Sequence, residues 1–124
     1  KNVNAEYRLG SMYNEGWGVK YDQSKAFYWW KKAALHGHTE AQMQLSIAYF
    51  KGRGVERSFI QSYAWAIITS SQKIDGADVN KKMVSDLMTK TEQKSAIRLA
   101  KKLWKQAVEP YQKGSTVRRH QFKE

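Results

Sequence analysis

Apolar positions in the first part of the chain recur at the spacing of a helix that buries one side. Ala5, Leu9, Met12 and Tyr13 follow intervals of three and four, and the run stops at Gly16, the residue type best able to leave a helix with a positive φ. A second run follows "GWGV". In "DQSKAFYWWKKAALHG", residues 22–37, Ala26, Trp29 or Trp30, Ala33 and Ala34 make one stripe; Asp22 stands at the N-cap and Gly37 closes the helix.

The pattern then repeats. Shifting the chain by 36 residues lays Ala5 on Ala41, Leu9 on Leu45, Tyr13 on Tyr49, Gly16 on Gly52, Gly18 on Gly54, Val19 on Val55 and Trp29 on Trp65. The shared positions are those of buried faces and turn glycines, which predicts an array of antiparallel helix pairs, each made of a helix A like the first run and a helix B like the second. Each helix is too short to bury its own apolar face, so the pairs must stack to be stable. "KIDGAD", residues 73–78, breaks the pattern with an Asp-Gly turn. A third helix is expected over about "DVNKKMVSDLMT", with Val79, Met83, Leu87 and Met88 as its apolar stripe. A fourth opens at Thr89 with Glu92 at capping-box spacing, buries Ala96, Ile97, Ala100, Leu103, Trp104 and Ala107, and ends at Pro110.

In the first unit Ala5, Leu9, Gly10, Tyr13, Gly16, Gly18, Val19, Asp22, Lys25, Ala26, Trp29, Lys32, Ala33, Ala34 and Gly37 follow one another as in the Sel1-like repeat, a family this chain resembles from residue 5 to about 108. The second unit departs from the pattern with Ser46 for the helix-A glycine, Ser58 for the aspartate, and Ile67 and Ile68 for the lysines. The resemblance implies an all-α fold: an α/α superhelical solenoid of two Sel1-like helix pairs plus two C-terminal helices. Residues 1–72 would hold the two repeats (about 5–40 and 41–72), 73–110 the capping helices, and 111–124 a basic tail without periodicity that is expected to fray. It also implies an adaptor or regulatory role in a bacterial protein, in the periplasm or envelope.

Composition narrows the chemistry. The 124 residues suit one domain, and no window approaches the roughly 18 consecutive apolar residues of a membrane span. The chain opens on Lys1 without an initiator Met, as a trimmed or processed protein would. There is no cysteine, which removes disulfides, thiolate metal sites and cysteine nucleophiles. Cysteine-rich relatives of the family are linked to β-lactam hydrolysis, and this chain lacks their cysteines. The net charge is +11, and residues 81–124 carry 12 Lys/Arg against 4 Asp/Glu. Such a field attracts acidic partners of any kind, proteins and nucleic acids included.

No catalytic constellation accompanies it. The paired glycines of "EGWGV" and "KGRGV" suggest a phosphate-cradling loop, but the preceding strand and third glycine that such a loop needs are missing, and the 36-residue recurrence points to turn chemistry. His36 and His38 offer two imidazoles without a third metal ligand. The expectation is therefore a protein without catalytic, metal or cofactor residues.

Binding candidates follow from solenoid geometry, in which helix A lines the concave side. Residues pointing away from the helix-A stripe are Asn4, Tyr7, Ser11, Asn14 and Glu15 in the first unit and Glu40, Met43, Ile47, Phe50 and Lys51 in the second. Trp17 and its counterpart Arg53 sit between loop glycines, where exposure is expected. Lys94, Arg98, Lys101, Lys102 and Lys105 form the outer face of the last helix. The expected partner is another protein with an acidic surface, which includes the case of an inhibitor or immunity-type protein capping an acidic enzyme or toxin. Nucleic acid or an anionic surface is the competing partner.

Overall fold

The computed structural model describes residues 2–112, in six helices and a closing 3₁₀ turn. They are α1 (Val3–Glu15), α2 (Gln23–Leu35), α3 (Thr39–Lys51), α4 (Phe59–Ser71), α5 (Ala77–Ser85), α6 (Lys90–Ala107) and the turn Glu109–Tyr111. The remaining residues, including all but the first two of the expected tail, lie outside this description.

Five helices begin on a side chain that accepts an otherwise unpaired amide of the first turn. Asn2, Asp22, His38 and Ser58 accept from Ala5, Lys25, Ala41 and Gln61. Thr89 and Glu92 form the reciprocal capping box that their spacing predicts. Helix ends repeat as well: the amides of Gly16 and Trp17 donate to the Met12 carbonyl, as those of Gly52 and Arg53 do to Ala48. Further on, Asp22 N–H donates to the Tyr13 carbonyl and Ser58 N–H to Tyr49, both at 3.0 Å. The two turns are therefore one structure used twice.

α1 with α2 and α3 with α4 form helix pairs, and α3 stacks on α2. Alanines at the crossings (Ala26, Ala33, Ala41, Ala48, Ala64) are buried and let the helices approach closely around Leu45, Trp65 and Ile68. Past α4 the regular stacking changes. Both α5 and α6 pack on α4, and α6 is tied to the end of α5 by Gln93 Nε2, which donates to the Ser85 carbonyl at 3.2 Å.

This packing corrects two sequence expectations about faces, in α1 and α5, and decides one left open in α2. In α1, Glu6 and Gly10 are the buried residues; Ala5 is exposed and Leu9, Met12 and Tyr13 are half-buried, whereas their counterparts Ala41, Leu45 and Tyr49 are buried against α2. Among the described residues α1 has nothing on its far side. In α2, Trp30 rather than Trp29 joins the core, and Trp29 stays half-buried with Lys32 Nζ 5.5 Å from its ring. In α5 the buried set is Ala77, Asn80 and Val84, continued by Met88 beyond the helix end, while Val79, Met83 and Leu87 are exposed. α5 is also shorter than expected, and α6 ends at Ala107, ahead of Pro110.

Polar side chains inside the stack account for one departure of the second unit, Ser46 in place of glycine. Ser46 Oγ donates to the Ser62 carbonyl at 2.8 Å, Ser62 Oγ donates back to the Ser46 carbonyl at 2.7 Å, and Asn80 Nδ2 donates to Ser46 Oγ at 2.8 Å. Serine in place of glycine thus ties α3 to α4 and supplies the acceptor that seats α5.

Candidate protein-binding surface

The helix-A side is held in place by a polar link that recurs with the repeat. In the first unit His36 Nδ1 donates to Glu6 Oε1 at 2.9 Å; 36 residues on, Gln72 Nε2 donates to Gln42 Oε1 at 2.8 Å. Each link ties the first turn of helix A to the end of helix B. Gln42, fully buried, also donates to the carbonyls of Ala34 and Ala107 at 3.0 and 3.1 Å, so one side chain joins the ends of α2, α4 and α6.

The two histidines are thereby explained as structural parts. His38 accepts the Ala41 amide at Nδ1, an arrangement that needs the neutral ring, and burial lowers its pKa despite the nearby Glu40. Tyr7 stacks on it with ring centroids 4.4 Å apart. No group of three or more metal-ligating side chains occurs among the described residues. The glycine loops spend amides on their own helix ends, as described above. Gly54 lies so close to α2 that a Cβ there would sit 2.7 Å from the Gln23 carbonyl carbon. Burial raises the pKa of Tyr49 and Tyr63, which keeps both phenols protonated.

On the helix-A side, Tyr7, Ser11 and Asn14 are half-buried and Asn4 and Glu15 exposed, with Asn14 Nδ2 donating to Glu15 at 3.1 Å. In α3, Met43, Ile47 and Phe50 are half-buried, Glu40 and Lys51 exposed, and Phe50 stacks on Phe59 with centroids 5.5 Å apart. Asn14, Ile47 and Arg53, distant in sequence, meet with Gln44 around a crevice of about 10 Å³ floored by Trp30, room for one water. Tyr7 belongs partly to the core through Trp30 and His38. Trp17 is 61% exposed and Arg53 is also exposed. Lys94, Arg98, Lys101, Lys102 and Lys105 all lie on the exposed side of α6, on a separate element from the α1/α3 row.

Sequence reasoning missed one set of exposed residues. Val79, Met83 and Leu87 have the helical, apolar spacing of a core face, but Ala77 and Val84, continued by Met88 beyond the helix end, offer a second stripe. A helical wheel does not say which of two stripes a neighbour will cover. The polar signal was Asn80, whose burial and bond to Ser46 orient α5.

Comparison with known proteins agrees with this architecture. The model of the Sel1 repeat matches residues 3–38 and 39–72. No curated protein matches significantly. Among solved structures the chain is similar to c5321, described as a protective antigen present in uropathogenic Escherichia coli strains displaying an SLR fold, with 27% identity and a TM-score of 0.81. The match covers 96% of this chain and 27% of that one, so the chain spans about a quarter of the length of that protein.

Proposed function

This chain belongs to the Sel1 repeat family, and from that premise we propose that it is a non-catalytic adaptor that holds another protein against the α1/α3 side of its solenoid. Sel1 repeat proteins are in general protein-interaction modules built on a non-catalytic scaffold. The observation that carries the reading is the free side of α3. Met43, Ile47 and Phe50 remain half-covered there, and Ile47 adjoins a crevice rimmed by Asn14, Gln44 and Arg53. Apolar side chains bordered by polar ones on a rigid helix are the anatomy of a protein interface. The net charge of +11 favours an acidic partner, as an inhibitor or immunity-type protein would have.

The test is affinity capture from the source cell with the wild-type chain and with a Met43→Glu/Ile47→Glu variant as baits. A specific protein held by the first and lost from the second is the expected result. Recovery of no specific protein, or of the same one by both, refutes the assignment. The basic face of α6 supports nucleic acid as a second reading. A salt titration separates the two, since phosphate contacts lose affinity steeply and linearly on a log–log scale.

A further inference from the structure

Among the described residues, the most exposed apolar set on one helix and its closing turn belongs to α5. Val79 is 75% exposed, Met83 45% and Leu87 56%, and they follow one another at intervals of four residues over about 12 Å of helix and its closing turn. α5 cannot turn this stripe inward, because Asn80 is bonded to Ser46 on one side and Ala77, Val84 and Met88 are already buried. Nor does α6 cover it, since that helix packs on α4 instead.

Charge surrounds the stripe unevenly. Acids lie at its N-terminal end, where Asp75 and Asp78 share a crevice with Val79 and Asp78 accepts from Ser70 Oγ, and Asp86 holds Lys82 Nζ at 3.1 and 3.2 Å. At the other end Glu92 caps Thr89, and the other charges on the first half of α6 are cations. Gln93 Nε2 donates to the carbonyls of Ser85 and Met88, which fixes the first turns of α6 beside the end of α5, and Lys90, Lys94 and Arg98 project from there into solvent. None of the three has an acidic partner among the described residues.

An apolar stripe of about two helical turns with unpaired cations beyond one end has a definite complement. We propose that α5 and the first half of α6 form a second docking surface, whose occupant is an acidic amphipathic helix of a partner protein: its apolar residues lie on Val79, Met83 and Leu87, and its carboxylates face Lys90, Lys94 and Arg98. Helix-on-helix recognition of this kind uses anchors at helical spacing, with flanking charge setting orientation and selectivity. The inference rests on the reading of the chain as a protein-binding module and adds the chemistry of what it binds.

The test uses two synthetic helical peptides, each with leucine at every fourth position, one flanked by glutamates and its twin by lysines. Two-dimensional amide NMR of the full chain locates binding. The acidic peptide should move the amides of residues 79–87 and 90–98 and leave those of α1 and α3 in place, and the basic twin should not bind. Met83→Glu, a change at an exposed site, should weaken the acidic peptide by about tenfold or more, and Lys94→Glu/Arg98→Glu by a similar factor. Absence of shifts on α5, equal binding of both peptides, an affinity unmoved by Met83→Glu, or self-association that covers the stripe and disappears in that variant would each overturn the proposal. Loss of cellular capture on the Met43→Glu/Ile47→Glu change together with failure of the peptide arm removes this surface alone. Peptide binding to α5 with no partner on the α1/α3 side removes the other.

Discussion

Gly10→Ala tests how the first helix pair is built, because two effects of similar size oppose each other there. Gly10 lies inside α1, where alanine is the better helix former by about 1 kcal/mol. A Cβ at this position, however, would stand 2.6 Å from Trp30 Nε1 and 2.9 Å from Cγ, against the roughly 3.5–4.0 Å of a relaxed contact. The indole has little room to withdraw, being 7% exposed with Tyr7 beyond it. Overpacking of a rigid core costs about 1–3 kcal/mol, and contacts this far inside the relaxed range put the site at about 2–3 kcal/mol. The substitution should therefore lower stability by a net ~1–2 kcal/mol despite the gain in propensity. In the second unit the same two positions carry Ser46 and Ala66, a larger residue facing a smaller one, so the pair has been exchanged together.

A double-mutant cycle with Trp30→Ala makes the reasoning refutable. Trp30→Ala alone should cost about 3–5 kcal/mol. In that background Gly10→Ala meets no ring and should stabilise, reversing its sign, for a coupling of about 2–3 kcal/mol. Urea denaturation at constant m-value measures all four corners. If Gly10→Ala is neutral or stabilising in the wild-type chain, or if its effect is the same with and without Trp30, the proposed contact does not govern this position.

Other sites give expectations of the same kind. Gly54→Ala should lower the thermal midpoint well beyond Gly18→Ala: both residues have positive φ, worth about 1–2 kcal/mol of strain, but only Gly54 presses on the backbone of α2, while a Cβ on Gly18 meets just a methionine methyl at 3.9 Å. Ser46→Ala should cost about 1–3 kcal/mol, because it strips the buried Asn80 amide of its acceptor, and hydrogen exchange should quicken in α5 before α2. His38 has its folded pKa below the unfolded value of 6.5, so protons bind the unfolded chain first. Stability should fall as pH drops from 6.5 through the folded pKa, and His38→Asn, which keeps a cap without a titrating ring, should remove that component of a urea-midpoint pH series.

Much of the architecture is determined locally and could be read directly. The 36-residue period, the glycines that end helix A, the Asp22 cap and the Thr89/Glu92 box depend on near neighbours in the chain, and the structure has them at the expected places. Trp17 between its glycines is exposed for the same reason.

What tertiary structure decided is which of several eligible faces each helix buries. Trp29 and Trp30 are both apolar and adjacent, and the choice falls to Trp30 because Gly10, in another helix, leaves it space. Ala5 and Ala41 are equivalent in the repeat, yet only Ala41 has α2 behind it. On α5 the second of two apolar stripes went inward because α6 packs on α4 and Asn80 reaches Ser46, leaving Val79, Met83 and Leu87 in solvent. Capping and turn chemistry act over three or four residues, so sequence alone determines them; burial depends on the neighbouring helix, and in a stack that neighbour is set by the whole chain.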